Sequence, residues 1–137
     1  MRTIVFVLLA GIVILTACSG GDKSSSSANE NATLAPVPVD YAGLANPLGA
    51  DAAADGAEIF GTHCATCHGP QGHGDGPAGQ ALDPKPRNLA KLQTMAGDDF
   101  LFWRISDGKP GTSMIAFKGV LSEEQIWQVV SFIRTLK

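Results

Sequence analysis

The clearest hydrophobic pattern lies at the C-terminal end of the chain. Its apolar positions recur at the i, i+3, i+4, i+7 spacing of a helix with one buried face: Ile126, Val129, Val130 and Ile133. Ser122 and Gln125 precede this stripe at the spacing of a capping box, which satisfies free backbone N–H groups at a helix start. The pattern predicts a final helix that begins directly after Ser122.

A first helix is predicted near the middle of the chain. Asp51 is a suitable N-cap residue, and the helical pattern then runs to about Thr62. Gly56 and Phe60 are four residues apart and therefore lie on one face of this helix.

A further helix is predicted to begin near Asp98 and to end at Gly108, because Gly and the following Pro110 are typical of helix termination. No segment has a convincing strand pattern, so we expect an all-α fold. The connecting segments 69–86 and 108–119 are long and rich in Gly and Pro. Loops of this length in a small domain indicate that they are ordered around a large ligand.

The N-terminal third of the chain has a different composition. Arg2 precedes a short apolar run, which is typical of an export signal and too short for a comfortable membrane span. The polar, Ser-rich stretch that follows cannot bury a core. We predict a signal peptide at residues 1–17, a flexible linker at 18–49 and a folded domain at 50–137.

Leu15-Thr16-Ala17-Cys18 ends the apolar run and resembles the lipobox of bacterial lipoproteins. This resemblance implies that the chain is cut before Cys18 and that its sulfur carries a lipid, which anchors the protein to a membrane outside the cytoplasm. An ordinary signal peptide cut at a nearby small residue and an uncleaved anchor are the alternatives.

Composition and charge narrow the classes of function. The chain has 137 residues, a net charge of -3 and no basic run longer than two residues, so no nucleic-acid partner is expected. Its three Cys residues are an odd number, which argues against a simple disulfide framework.

Cys64-Ala65-Thr66-Cys67-His68 has the spacing of a c-type haem attachment motif. Two thiols on one helical turn can each add to a vinyl group of the porphyrin, and His68 is then placed to bind the iron. A thioredoxin-like site would need a preceding strand, and a zinc site would need two more ligands, for which only His63 and His73 remain. We therefore predict one covalent haem c.

From about Ala52 onward the chain resembles the class I cytochromes c. Gly56 and Phe60 stand eight and four residues before Cys64, as in the first helix of that family, and Val129 and Phe132 match its last helix. The resemblance implies a small cytochrome c fold of three to five helices, with long loops around the haem. It also implies that the first and last helices cross where Gly lets their backbones approach.

The same resemblance implies Met114 as the second axial ligand, delivered by the Gly- and Pro-rich segment before it. Ile115 follows where the family usually has Pro. A Met that packs on the haem without binding iron is the alternative. Met95 is predicted to fill the core beside the second helix.

Other residues are expected around the haem. By resemblance to small bacterial relatives, the Pro77 carbonyl accepts a hydrogen bond from His68, with Pro84 and Pro86 as competitors. The Trp103 indole and the Arg87 guanidinium are candidates for contact with a haem propionate. Four cations are expected to ring the haem edge and attract acidic redox partners: Lys85, Arg87, Lys109 and Lys118.

With both axial positions of the iron filled, catalysis has no open site. We therefore expect a one-electron carrier rather than an enzyme, working between redox proteins on the outer side of a membrane. The alternatives are a haem subunit fixed in a larger oxidase or dehydrogenase complex, and a sensor or enzyme with an open iron.

Overall fold

A computed structural model describes residues 34–137 of the protein. The predicted signal peptide, Cys18 and the first part of the predicted linker lie outside the described residues. From residue 34 onward the chain forms five α-helices and two 3₁₀ turns: Ala50–Ala52, α1 (Ala53–His63), α2 (Ala65–His68), Gly79–Ala81, α3 (Leu89–Leu92), α4 (Asp98–Asp107) and α5 (Glu123–Ile133).

The predicted all-α class is confirmed. Residues 34–137 contain no β-strand, and their one isolated bridge joins Lys118 to Leu121. Within the same range no helix is both long and apolar enough to cross a bilayer.

The C-terminal helix forms as its pattern predicts. The Ser122 hydroxyl accepts from the Gln125 backbone N–H at 3.2 Å, and the Gln125 side chain accepts from the Ser122 N–H at 2.9 Å. This capping box satisfies two N–H groups that the helix cannot pair internally. All four residues of the apolar stripe are buried in the core.

The core is built on the crossing of α1 and α5. Gly56 lies so close to α5 that an added Cβ atom would be 1.9 Å from the backbone oxygen of Gln128. One turn further along α1, the Phe60 ring packs against Phe132 with 5.0 Å between centroids. The predicted crossing of the first and last helices at Gly56 is therefore present.

The predicted end of α4 is confirmed, whereas the predicted N-cap of α1 is wrong. α4 begins at Asp98 and ends at Asp107, with Gly108 in the left-handed region at φ 69°, as predicted. Asp51 does not cap α1, which is a correction: it lies inside the 3₁₀ turn Ala50–Ala52 that precedes the helix. The residue directly before α1 is therefore Ala52, which has no side-chain oxygen to accept from the free N–H groups at the helix start.

Part of the predicted flexible linker is folded onto the domain. Residues 34–49, which we call the N-terminal strap, pack partly buried hydrophobic side chains against the core: Leu34, Val37, Tyr41 and Leu48. The Asn46 side-chain amide donates to the Trp127 carbonyl at 3.2 Å and to the Ser131 hydroxyl at 2.8 Å. The folded domain therefore begins before residue 50, because these scattered apolar and amide groups find partners only on the folded helices.

Candidate haem-binding site

The Cys-x-x-Cys-His motif occupies the junction between α1 and α2. Cys64 directly follows α1 as its C-cap residue, and its carbonyl accepts from the backbone N–H groups of Cys67 at 3.1 Å and His68 at 2.9 Å. These bonds wind the motif into one helical turn, so the two sulfurs and the imidazole project from a single short segment. Both thiols are free and half-buried.

Burial changes the acid–base properties of the motif. It raises the pKa of the Cys64 thiol to about 12, and the neighbouring Cys67 adds to the effect. Burial also lowers the pKa of His68. The imidazole is therefore neutral near pH 7, which is the form that binds metals.

One ring nitrogen of His68 is held by the backbone. Nδ1 lies 3.3 Å from the Arg87 carbonyl oxygen, and this bond opposes the lowering of the His68 pKa by burial. Nε2 has no hydrogen-bond partner among residues 34–137. With Nδ1 as the donor, the free lone pair is on Nε2, which suits a proximal ligand to iron.

The predicted partner of His68 was Pro77, and the structure corrects this assignment. Pro77 is exposed, whereas the carbonyl that reaches His68 belongs to Arg87. The physical reason is that the chain returns to the motif after Pro86. The Leu89 N–H donates to the Gly72 carbonyl at 2.6 Å and draws the preceding residues against the imidazole.

Segment 69–86, the proximal loop, is fastened to the backbone of the motif. The Gly74 N–H donates to the His68 carbonyl at 2.8 Å, and the Ala78 N–H donates to the Thr66 carbonyl at 3.0 Å. A Cβ atom on Gly76 would lie 2.5 Å from the Thr66 oxygen, so only glycine permits this approach. The loop thereby fixes the motif's position from one side.

Segment 108–119, the distal loop, also reaches the motif. The ring of buried Phe117 packs edge-on against His63, the residue before Cys64, with 6.0 Å between centroids. Met114 is three residues before Phe117, half-buried and packed against the core. The fold therefore brings the loop that carries Met114 to the motif that carries His68.

Met95, the other methionine among residues 34–137, lies on the surface. Met95 is 51% exposed and lines a surface groove with His73 and Lys91. Its predicted role as a core filler is wrong, because α3 is only four residues long and the turn after it carries Met95 into solvent.

An arginine that the sequence analysis did not single out lies beside Trp103. The Arg104 guanidinium carbon is 3.8 Å from the Trp103 ring centroid, and Nη1 donates to the Gly108 carbonyl at 3.3 Å. Partial burial lowers the Arg104 pKa, yet guanidinium stays charged. The signal available in the sequence was weak, because a cation in the last turn of a helix is ordinary.

The remaining predicted residues are on the surface or near it. Lys85, Lys109 and Lys118 are exposed, and Arg87 and Trp103 are half-buried. His73 is exposed, with Nε2 at 3.1 Å from the Lys137 carbonyl oxygen, and His63 is exposed apart from its ring contact.

The donor set fits a c-type haem. Two free thiols on one helical turn supply the attachment atoms, and a neutral imidazole with an unused nitrogen follows them. A thioether lies in the loop that packs against the motif. Because both thiols are free, no disulfide has to be broken before they can react.

The helices, the motif and the two loops define a small c-type cytochrome domain. Residues 51–133 match the family model described as "Cytochrome C oxidase, cbb3-type, subunit III", and the chain belongs to this family. Cytochrome c6 of Synechococcus sp. is 32% identical over 90 residues, which cover 66% of this chain and 75% of that protein. The chain is a class I cytochrome c that binds haem c covalently and carries electrons.

Two solved structures are similar. A chain of a reducing HAO-like protein complex from Kuenenia stuttgartiensis has 33% sequence identity and a TM-score of 0.55, over 59% of this chain. The present protein spans only 40% of that chain. The c-type cytochrome KustC0563 has 30% identity and a TM-score of 0.49, over 60% of this chain and 96% of its own.

Proposed function

We propose that this protein is a membrane-tethered one-electron carrier outside the cytoplasm. In this proposal Cys64 and Cys67 form the two thioethers, His68 is the proximal iron ligand and Met114 is the distal one. The observation that supports it most is the packing of Phe117 on His63, which brings the Met114 loop to the attachment motif.

The bound haem iron supplies a couple that gains or loses one electron. The chain's own part is to hold the ligands still. The Arg87 carbonyl orients the His68 ring, and the proximal loop is fastened to the motif's backbone. A site with fixed ligands rearranges little between the two oxidation states and leaves no coordination position for a substrate, so we assign no enzymatic reaction.

Arg104 is the residue that we propose as the partner of a haem propionate, in addition to Trp103 and the Arg87 side chain. Its guanidinium has a ring on one face and a backbone carbonyl at Nη1, and no carboxylate pairs with it among residues 34–137. A half-buried cation of this kind is stabilised by an anion placed nearby.

We further propose that redox partners dock on the distal loop. Ile115 in this loop and Val120 directly after it are both 63% exposed, and Lys109 and Lys118 are exposed in the same loop. Exposed apolar groups rimmed by cations suit brief contact with an acidic partner, since charge speeds encounter while a small apolar centre permits release. The partners are redox proteins, and no nucleic acid is among them.

The tether is proposed from Cys18, with a lipid on its sulfur and residues 1–17 removed. Two acyl chains keep a protein at a bilayer where one would allow escape. A carrier held in this way stays at high effective concentration near membrane complexes.

Optical spectroscopy of the purified ferric protein tests the ligand assignment. Low-spin haem with a Met–iron absorption band at the red end of the spectrum is expected, and Met114→Ala should abolish the band. Met95→Ala is the matched control and should keep it, because Met95 is exposed in a surface groove that Met114 does not line. If the band persists in Met114→Ala and is lost in Met95→Ala, the assignment of Met114 as the distal ligand is wrong. Intact mass counts one haem and the acyl groups, and Cys18→Ser should lose the latter.

A second candidate function is a haem subunit fixed in a larger complex, which the description of the matching family favours. Extraction in mild detergent separates the two proposals. A free carrier elutes alone, whereas a fixed subunit elutes with its complex in constant ratio. Rapid binding of carbon monoxide to the reduced protein would instead indicate an open iron.

A further inference from the structure

The distal loop depends on the last turn of α4 at both of its ends. At its start, the Gly108 N–H donates to the Arg104 carbonyl at 3.0 Å, and Arg104 Nη1 donates to the Gly108 carbonyl at 3.3 Å. At its end, the Phe117 N–H donates to Ile105 and Ser106, and the Lys118 N–H donates to Ser106 at 3.0 Å. If the last turn of α4 frays, both ends of the loop lose their support together.

The last residue of α4 is unfavourable in isolation. Asp107 places a carboxylate at the negative end of the helix dipole, where cations are preferred. Helix ends fray readily unless something holds them. A partner that donates a hydrogen bond to Asp107 therefore acts at the weakest point of the support for the loop.

The N-terminal strap supplies that partner. The Tyr41 hydroxyl donates to Asp107 Oδ1 at 2.7 Å, and the Tyr41 ring lies 6.1 Å from the ring of Phe102 in the same helix. The carboxylate raises the pKa of Tyr41 to about 12, so the phenol keeps its proton at neutral pH. Tyr41 thus contacts α4 at two levels, one of them its final residue.

The rest of the strap keeps Tyr41 in place. The Gly43 N–H donates to Asp99 at 3.0 Å and the Asn46 N–H donates to Asp98 at 3.1 Å, both at the start of α4. Asp98 also pairs with Arg134, which follows α5. The strap is therefore fastened at both ends of α4 rather than resting on it at one point.

We propose that Tyr41 is a positioning residue for Met114: through Asp107 it holds the last turn of α4, and through that turn it holds the distal loop closed. The connection to iron ligation rests on the proposed function, whereas the effect on the loop does not. The segment that leads from the predicted membrane anchor is thereby part of the device that keeps the distal ligand in place.

Amide hydrogen exchange of the full-length holoprotein tests the proposal. Tyr41→Phe removes only the hydroxyl, and Asp107→Ala removes its acceptor. Tyr41→Phe should speed exchange at the amides of Lys109, Phe117 and Lys118 by about three- to tenfold. Asp107→Ala should speed it by less, because it also removes a carboxylate from the negative end of the helix dipole. The double variant should add little, because both changes break one bond. Asp107→Asn keeps an acceptor oxygen and should stay within about twofold of the wild type.

The control is Thr135→Val, which loses another exposed hydroxyl bond of 2.7 Å, to the Phe132 carbonyl. It should leave the three loop amides unchanged. The idea fails if Tyr41→Phe leaves those amides as slow as in the wild type. It also fails if the amides of α5 accelerate equally, since that result indicates general loss of stability.

A second measurement separates this proposal from the ligand assignment. In ferric Tyr41→Phe, the imidazole concentration that abolishes the Met–iron band should be about three- to tenfold lower than in the wild type. If the wild type has no such band, the ligand assignment is wrong. Faster loop exchange in the same variant would still support the role of Tyr41 in holding the loop.

Discussion

The crossing of α1 and α5 can be tested with two glycines of the same helix. Gly56 faces α5, where an added Cβ atom would lie 1.9 Å from the Gln128 oxygen and 3.0 Å from the Phe132 Cβ. Gly61, five residues later, has no atom within 4 Å of the same position. Gly56→Ala and Gly61→Ala therefore make an identical chemical change in two different surroundings.

The expected magnitude follows from the distances. Because the obstacle at Gly56 is backbone, the two helices would have to separate by about 1.1 Å to restore a 3.0 Å contact. A gap near 1 Å forfeits up to about half of the dispersion energy of each facing pair of atoms. Overpacking of this kind typically costs about 1–3 kcal/mol, beyond the helix-propensity gain of about 1 kcal/mol.

We therefore expect Gly56→Ala to lower the free energy of unfolding by about 1–3 kcal/mol. Gly61→Ala should raise it by about 0.5–1 kcal/mol, because Ala is the better helix former at an exposed site. For a domain of this size, 1 kcal/mol corresponds to a Tm change of roughly 4–8 °C.

Denaturant and thermal unfolding of the holoprotein, followed by far-UV circular dichroism, measures both variants. Haem content should be determined by absorbance first, so that incomplete attachment is not mistaken for lost stability. If Gly56→Ala proves as stable as Gly61→Ala, the close approach of the two helices is not a constraint, and the reasoning from the crossing is refuted.

Two predictions concern the haem surroundings. Arg104→Gln should lower the midpoint potential by about 20–40 mV, because loss of a nearby cation favours ferric iron. The control Lys137→Gln should leave the potential unchanged. If a potentiometric titration finds no change in Arg104→Gln either, Arg104 does not belong to the haem site. Electron transfer to an acidic partner should slow as salt rises from 0.01 to about 1 M. The double variant Lys109→Ala, Lys118→Ala should weaken this salt dependence in stopped-flow experiments, whereas Lys137→Ala should not. If the rate for the wild type does not depend on salt, the proposed docking surface is wrong.

Local patterns in the sequence determined much of the fold. The capping box at Ser122, the stripe in α5 and the termination of α4 at Gly108 each depend on residues within one or two turns of one another. Such features follow from helix geometry, and a reader of the sequence can find them without knowing the rest of the chain. The haem motif belongs to this group, because its chemistry lies in five consecutive residues.

Contacts between distant segments were decided only by the tertiary structure. The carbonyl that reaches His68 is the main-chain oxygen of Arg87, 19 residues away, and every residue has such an oxygen, so no side chain marks it. Pro77 was the wrong choice for this reason. The prediction that Met95 is buried was wrong for a similar reason, since its exposure depends on how the chain turns after a short helix.

The strap shows the same division most clearly. It contains three Pro and two Gly, which do not suit a regular helix or strand, and it forms none before Ala50. Whether it stays free depends on partners 52 to 85 residues away, such as Asp98, Asp107 and Ser131. The neighbours of a residue along the chain determine its local secondary structure, but burial and long-range pairing arise only when the helices have packed.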